Sequence, residues 1–185
     1  MSRREKIAKK YRIKRKIRWR YIDKNLVQFI SNRRIKSFTA FMKLMSRIGD
    51  GLAWFILCVV FLAIDIYAGL ALTISSITQV LLQIVIKRIF SRQRPFVRYG
   101  EISNVIAPPD RFSFPSGHTA GAFTIVFVFY YFYTVLFIPM LIIATLIAFS
   151  RIYLGLHYPT DVLAGVILGL ISALIGINVT LLIPI

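Results

Sequence analysis

The sequence of 185 residues holds a single cysteine, Cys58, inside an apolar run. One cysteine excludes a disulfide framework and a cysteine-based metal cluster. Acidic side chains are scarce as well. Seven Asp and Glu stand against 24 Lys and Arg, and the formal net charge is +17. So few carboxylates offer no ligand cluster for a hard cation. Histidine occurs only twice, at positions 118 and 157. There is no internal repeat and no low-complexity linker. The first 24 residues contain no apolar core of the kind a secretory signal needs.

What the chain has in excess is apolar residues, 57% of the total, with a mean hydropathy of +0.71. That is well above an ordinary soluble domain. Length allows one domain, and the composition makes it a small polytopic membrane protein. The basic residues are not spread evenly. Seventeen of the 24 lie within residues 1–47, and the others are Lys87, Arg88, Arg92, Arg94, Arg98, Arg111 and Arg151. Residues 1–24 read as a basic arm, in which "RREKIAKKYRIKRKIRWRY" carries Ile13, Ile17 and Tyr21 at every fourth place, the pattern of a basic helix on a membrane surface. Anionic lipids are its expected partner, and nucleic acid is not. A second amphipathic stretch, 25–48, is interrupted by Arg33, Arg34, Lys36 and Lys43. We therefore divide the chain into a basic amphipathic region, 1–47, and a membrane-embedded region, 48–185.

The expected fold is all-α, a polytopic membrane helix bundle. A crossing needs about 20 apolar residues. Five spans are predicted: a short one over 52–64, then 67–86, 118–137, 139–156 with Pro139 as the break before it, and 161–182. A sixth requires 25–48 to cross. Small residues at 164, 165, 169, 172, 173 and 176 suit close helix packing.

Tracing these spans through a bilayer brings four polar clusters to one face. The second span ends at Lys87, the third begins at His118, the fourth ends near Arg151 and the fifth begins near Asp161. Around them run "KRIFSRQRP" (87–95), "PSGH" (115–118) and "SRIYLGLHYPTD" (150–161). Alone, each has an ordinary explanation as an interfacial anchor, a turn or a helix cap. Together they supply three cations (Lys87, Arg94, Arg151), two histidines, a carboxylate and a Ser116-Gly117 turn at a helix start. Three cations around one point call for a multiply charged anion such as phosphate, and the turn's N–H groups can bind the same anion. His157 and Asp161, four apart, share a helical face. The carboxylate can hold one ring nitrogen and leave the other free to attack. Two histidines in one set suggest a nucleophile and a proton donor.

These three motifs together resemble those of the type-2 phosphatidic acid phosphatase superfamily, over roughly residues 48–183. The same site occurs in soluble bacterial acid phosphatases and vanadium haloperoxidases, so the membrane spans are what point to a lipid. The resemblance implies that His157 forms a phosphohistidine, Asp161 orients it, and His118 protonates the leaving group. It assigns Lys87, Arg94, Ser116, Gly117 and Arg151 to the phosphoryl oxygens. It implies no metal and no cofactor. Only 19 residues separate Pro95 from Pro115, which leaves no room for an inserted domain.

The expected activity is removal of phosphate from a lipid monoester or diphosphate. Candidate substrates are polyprenyl diphosphate, phosphatidate, phosphatidylglycerophosphate and a phosphorylated glycolipid. The competing class is a membrane-tethered basic binding protein with an inactive phosphatase-like site. The expected location is a bacterial plasma membrane. The basic arm pulls the site's face toward the cytoplasm by the positive-inside rule, whereas the resemblance favours the extracytoplasmic face, which we adopt as the expectation.

Overall fold

The structure is a computed structural model and describes residues 19–184. The described residues are helical and contain no strand; Gln93 and Phe112 form an isolated antiparallel bridge. We number the helices in chain order. Helix α1 is described over 19–31. Then come α2 (Lys36–Ile48), α3 (Gly51–Ile64), α4 (Ile66–Phe90), the single turn α5 (Pro95–Arg98), α6 (Gly117–Phe132), α7 (Thr134–Tyr153) and α8 (Pro159–Leu181). Residues 1–18, most of the expected basic arm, lie outside the described residues.

The protein is a membrane helix bundle. Helices α4, α7 and α8 are each long and apolar enough to cross a bilayer. Helices α2 and α3, bent by 46° at the turn between them, together pass as a fourth crossing, and α6 is a shorter apolar helix. The weak first span expected over 52–64 is thus a 14-residue helix that extends a bent pair. The break expected at Pro139 falls earlier, at Tyr133, and Pro139 lies inside α7. Tyr133 leaves helical geometry at φ −140°, and its hydroxyl donates to Asp65 at 2.7 Å in the α3–α4 turn. Pro139 sits in the second turn of α7, so its missing N–H costs one bond near a helix end where bonds are already few.

Helix α8 is the spine. It packs against α4 and α6, while α7 closes on α6 and α2. Its small residues explain how near the helices come. A Cβ at Gly169 would stand 2.7 Å from the Ala120 carbonyl, and one at Gly176 would stand 2.0 Å from Ser75 Oγ. Such contacts replace the hydrophobic driving force that lipid does not provide. The buried faces otherwise hold Leu72, Ile125, Val128, Phe129, Ala173 and Ile177. This packing fixes the ends of α4, α6, α7 and α8 beside one another.

Candidate active site

Those four ends carry the polar residues. Lys87 lies in the last turn of α4, His118 in the first of α6, Arg151 in the last of α7 and Asp161 in the first of α8. Arg94 and His157 come from the adjoining loops. The convergence expected from the order of spans is therefore present in the fold.

His157 is 1% exposed. Gly155 turns the chain toward it with φ +78°, and a Cβ there would also press on the Ser103 carbonyl at 2.7 Å. The His157 Nδ1–H donates to the Ser113 carbonyl at 2.6 Å. A carbonyl can only accept, so Nδ1 carries the proton and Nε2 keeps its lone pair. Burial, with Arg94 and Arg151 nearby, pushes the imidazole pKa down to about 3. His157 is thus neutral at physiological pH, with Nε2 facing Arg94 Nη1 at 3.1 Å.

Asp161 is buried 3.7 Å from His157 Nδ1, beyond hydrogen-bond reach. Its carboxylate accepts from Arg92 Nη1 at 2.6 Å, from Ser113 Oγ at 2.5 Å and from the Tyr158 N–H at 2.9 Å. Ser113 is therefore the joint between the two motif residues: hydroxyl to Asp161, carbonyl to His157, N–H to the Arg92 carbonyl at 2.8 Å. Arg92 also donates to Asp23 Oδ2 of α1 at 2.7 Å, and Asp23 accepts from Thr160. Asp23 is 3% exposed. A residue of the expected arm thus lies one side chain away from Asp161.

His118 Nε2 lies 2.8 Å from Asp50 Oδ1, at the start of α3. Arg151 is 1% exposed; Nη1 donates to Ser46 Oγ of α2, while Nε and Nη2 have no partner in the protein. Lys87 is ion-paired with Asp110, which also receives Arg94 Nη2 at 2.9 Å. Burial alone would raise the Asp110 carboxyl, but hydrogen bonds and charge from Lys87 and Arg94 hold it below its ordinary range. Gly117 lines the cavity beside these groups. Ser116 is engaged within the protein: its N–H donates to the Asp161 carbonyl at 3.0 Å and its hydroxyl lies 2.9 Å from Thr119 Oγ1.

Lys87, Arg94 and both histidines line the polar end of a cavity of about 680 Å³, and Arg151 lines a smaller one beside it. The cavity continues between α3 and α4, past Trp54, Phe55, Val59, Leu62, Ile77 and Val80. One end suits an anion and the other a hydrocarbon chain.

Sequence reading missed Ser113, Asp110, Asp50, Ser46 and Asp23. Ser113 and Asp110 stand within eight residues of His118, and that proximity was the available signal. The other three lie in polar stretches where nothing distinguishes them.

Residues 66–182 match the profile of the PAP2 superfamily. The chain is 35% identical over 109 residues to the bacitracin transport permease protein BcrC of Bacillus licheniformis, covering 59% of this chain and 52% of that protein. It is 29% identical over 150 residues to the undecaprenyl-diphosphatase of Sulfolobus acidocaldarius, covering 78% and 71%. With the Bacillus relative, then, the chain aligns over about half of that protein's length. Among solved structures, LpxE of Aquifex aeolicus superposes with a TM-score of 0.78 at 28% identity, over 85% of this chain and 95% of that one. The PAP2-type phosphatidylglycerolphosphate phosphatase of Bacillus subtilis gives 0.76 at 26% identity, over 89% and 87%. The profile covers more than half of the chain and takes in all three polar motifs, so this integral membrane protein belongs to the PAP2 superfamily.

Proposed function

We propose that the protein is a membrane phosphatase that removes the terminal phosphate of a lipid monoester or diphosphate through a phosphohistidine, without a metal. One observation carries this reading. A neutral, buried imidazole, its Nε2 lone pair turned to the Arg94 guanidinium and not to a proton of its own, stands beside Lys87 and Arg94 at the polar end of an apolar cavity. The relatives' names support it, since they include an undecaprenyl-diphosphatase and a phosphatidylglycerolphosphate phosphatase. Polyprenyl diphosphate, phosphatidate, phosphatidylglycerophosphate and a phosphorylated glycolipid all combine an anionic head with a chain for the cavity.

In this reading the phosphoryl oxygens are held by Lys87, Arg94, Arg151 and the N–H groups at Gly117. His157 Nε2 attacks phosphorus. The N–P bond forms as the P–O bond to the leaving group breaks; His118, which takes up a proton once the entering anion offsets the charge of Arg151 and Lys87 beside it, gives that proton to the leaving oxygen. Asp50 orients His118. His118 then takes a proton from water, whose oxygen displaces His157 and releases phosphate. Asp161 acts through Ser113, fixing the carbonyl that holds Nδ1–H. Positively charged side chains take the place of a metal around the transition state. The basic arm serves attachment to anionic lipid, and the site opens on the extracytoplasmic side.

Phosphate release from several lipids by the detergent-solubilised chain tests this reading. His157→Ala should abolish release, and quenched wild-type protein should carry acid-labile phosphate. Full activity in the variant would remove His157 as nucleophile. Activity should persist in chelator; loss restored by a divalent ion would overturn the metal-free chemistry. Impermeant labelling of Arg111→Cys, in a Cys58→Ser background on intact cells, tests the sidedness.

A further inference from the structure

A carboxylate occupies the cation cluster. Asp110 Oδ2 pairs with Lys87, its Oδ1 accepts from Arg94 Nη2 at 2.9 Å, and its backbone carbonyl accepts from Arg94 Nε at 3.0 Å. The Phe112 N–H donates back to Oδ1 at 3.1 Å, so the turn itself holds the carboxylate in place. Two cavities meet at this point. The larger is lined by Lys87, Arg94 and His157; the smaller is lined by Arg151. Pro109 and His118 line both. The turn at 109–110 thus stands where an anion shared by all three cations would sit. Arg151, on the far side, keeps two buried guanidinium nitrogens unpaired.

We propose that Asp110 is a specificity-determining residue, an internal competitor whose carboxylate every entering anion must displace from Lys87 and Arg94. This rests on the phosphatase reading above. A held carboxylate competes at high effective concentration. If it sits on the cations roughly nine-tenths of the time, the apparent affinity of any anion falls about tenfold. A terminal phosphate, carrying nearly two charges at neutral pH, has affinity to spare, and Arg151 has open donors for its extra oxygen. A phosphodiester carries one charge and does not. Bilayers are crowded with phosphodiester head groups, and the cradle would otherwise collect them. Asp110 keeps it clear for a terminal phosphate.

The test compares wild type, Asp110→Asn and Asp110→Ala as full-length protein in detergent, hydrolysing a short-chain phosphomonoester. Inhibition is measured with vanadate and with dihexanoyl-phosphatidylglycerol, a diester. Both variants should bind vanadate about tenfold more tightly and become sensitive to the diester, which leaves wild type unaffected. Damage to the fold would weaken inhibition, so a gain has the opposite sign from a structural defect. Unchanged or weaker inhibition in both variants overturns the proposal. Should wild type itself resist vanadate, the phosphatase reading fails first. If neither variant folds, amide exchange of wild type over residues 105–111 should change on adding vanadate, and unchanged exchange overturns the displacement.

Discussion

Replacing Arg151 should make the protein more stable and nearly inactive. Its guanidinium is buried at the end of α7, with one nitrogen bonded to Ser46 and two without a partner. A buried cation with no carboxylate in ion-pair contact is unfavourable, and Asp50 and Asp110 offset its charge only from a distance. Exchanging buried charged groups for packed apolar ones of similar volume stabilises by about 1–4 kcal/mol. Arg151→Met keeps most of the volume. Against that gain stand the lost bond to Ser46, about 1 kcal/mol, and a cation well placed at a helix C-terminus, roughly 0.5 kcal/mol. The net runs from about −0.5 to about 2.5 kcal/mol, centred on a stabilisation of roughly 1 kcal/mol, or up to about 10 °C in Tm for a chain of this size. Turnover should fall by roughly 10²–10³-fold, the worth of one preorganised charge at the transition state. The assay is thermal unfolding in anion-free detergent buffer, with and without vanadate, beside phosphate release. Vanadate should raise the Tm of wild type and leave the variant unmoved. A variant that is clearly less stable without anion, or that keeps full turnover, would refute the argument that Arg151 waits uncompensated for a phosphate.

Four further outcomes are expected. His118→Ala should slow turnover by roughly 10²–10⁴-fold, and the loss should shrink for substrates with good leaving groups; equal losses would show that His118 is not the acid. Ser113→Ala keeps the carbonyl bond to His157 but cuts the hydroxyl bond to Asp161, so kcat should fall about tenfold, as for one hydrogen bond to a charged group, with KM unchanged. Because the His157 pKa is about 3 in the fold and near 6.5 in unfolded chains, the unfolded state binds the extra proton between those values. Stability should therefore fall as pH drops through that window, by at most about 1.4 kcal/mol per pH unit, and urea titrations of His157→Gln should lack that share of the slope. Removing residues 1–18, which hold ten Lys and Arg, should weaken binding to anionic liposomes in a salt-sensitive way while turnover on a soluble substrate stays the same.

Charge in an apolar chain is conspicuous, and that is why Lys87, Arg94, His118, Arg151, His157 and Asp161 could be picked out and placed on one face from sequence. The bundle class followed from the same contrast. Helix limits were harder. Pro139 looks like a boundary, but the break is set by Tyr133 reaching Asp65, 68 residues away in sequence, which no local pattern records. Asp161 stands four residues after His157 and invites a direct bond, yet the chain leaves helical geometry between Gly155 and Tyr158, so Ser113 takes the intermediate place. Asp23, Ser46 and Asp50 belong to stretches already rich in polar groups. Their partners are fixed only when α1 and α2 fold back on the far end of the chain, and the division expected after residue 47 hides that return.

The clasp of Asp23 on Arg92 and Thr160 has a consequence for biosynthesis. Asp23 leaves the ribosome well before Thr160 and Asp161, which arrive with α8, because chains emerge from the N-terminus onward. No nascent intermediate can hold Asp161, Ser113 and His157 in register, because α8 supplies the carboxylate and the backbone that receives the clasp. On the phosphatase reading, a chain stalled before α8 would carry its basic N-terminal region without chemistry. On that reading, hydrolytic capacity would switch on in one step when α8 inserts, and a chain without α8 could not strip phosphates from the lipids around it.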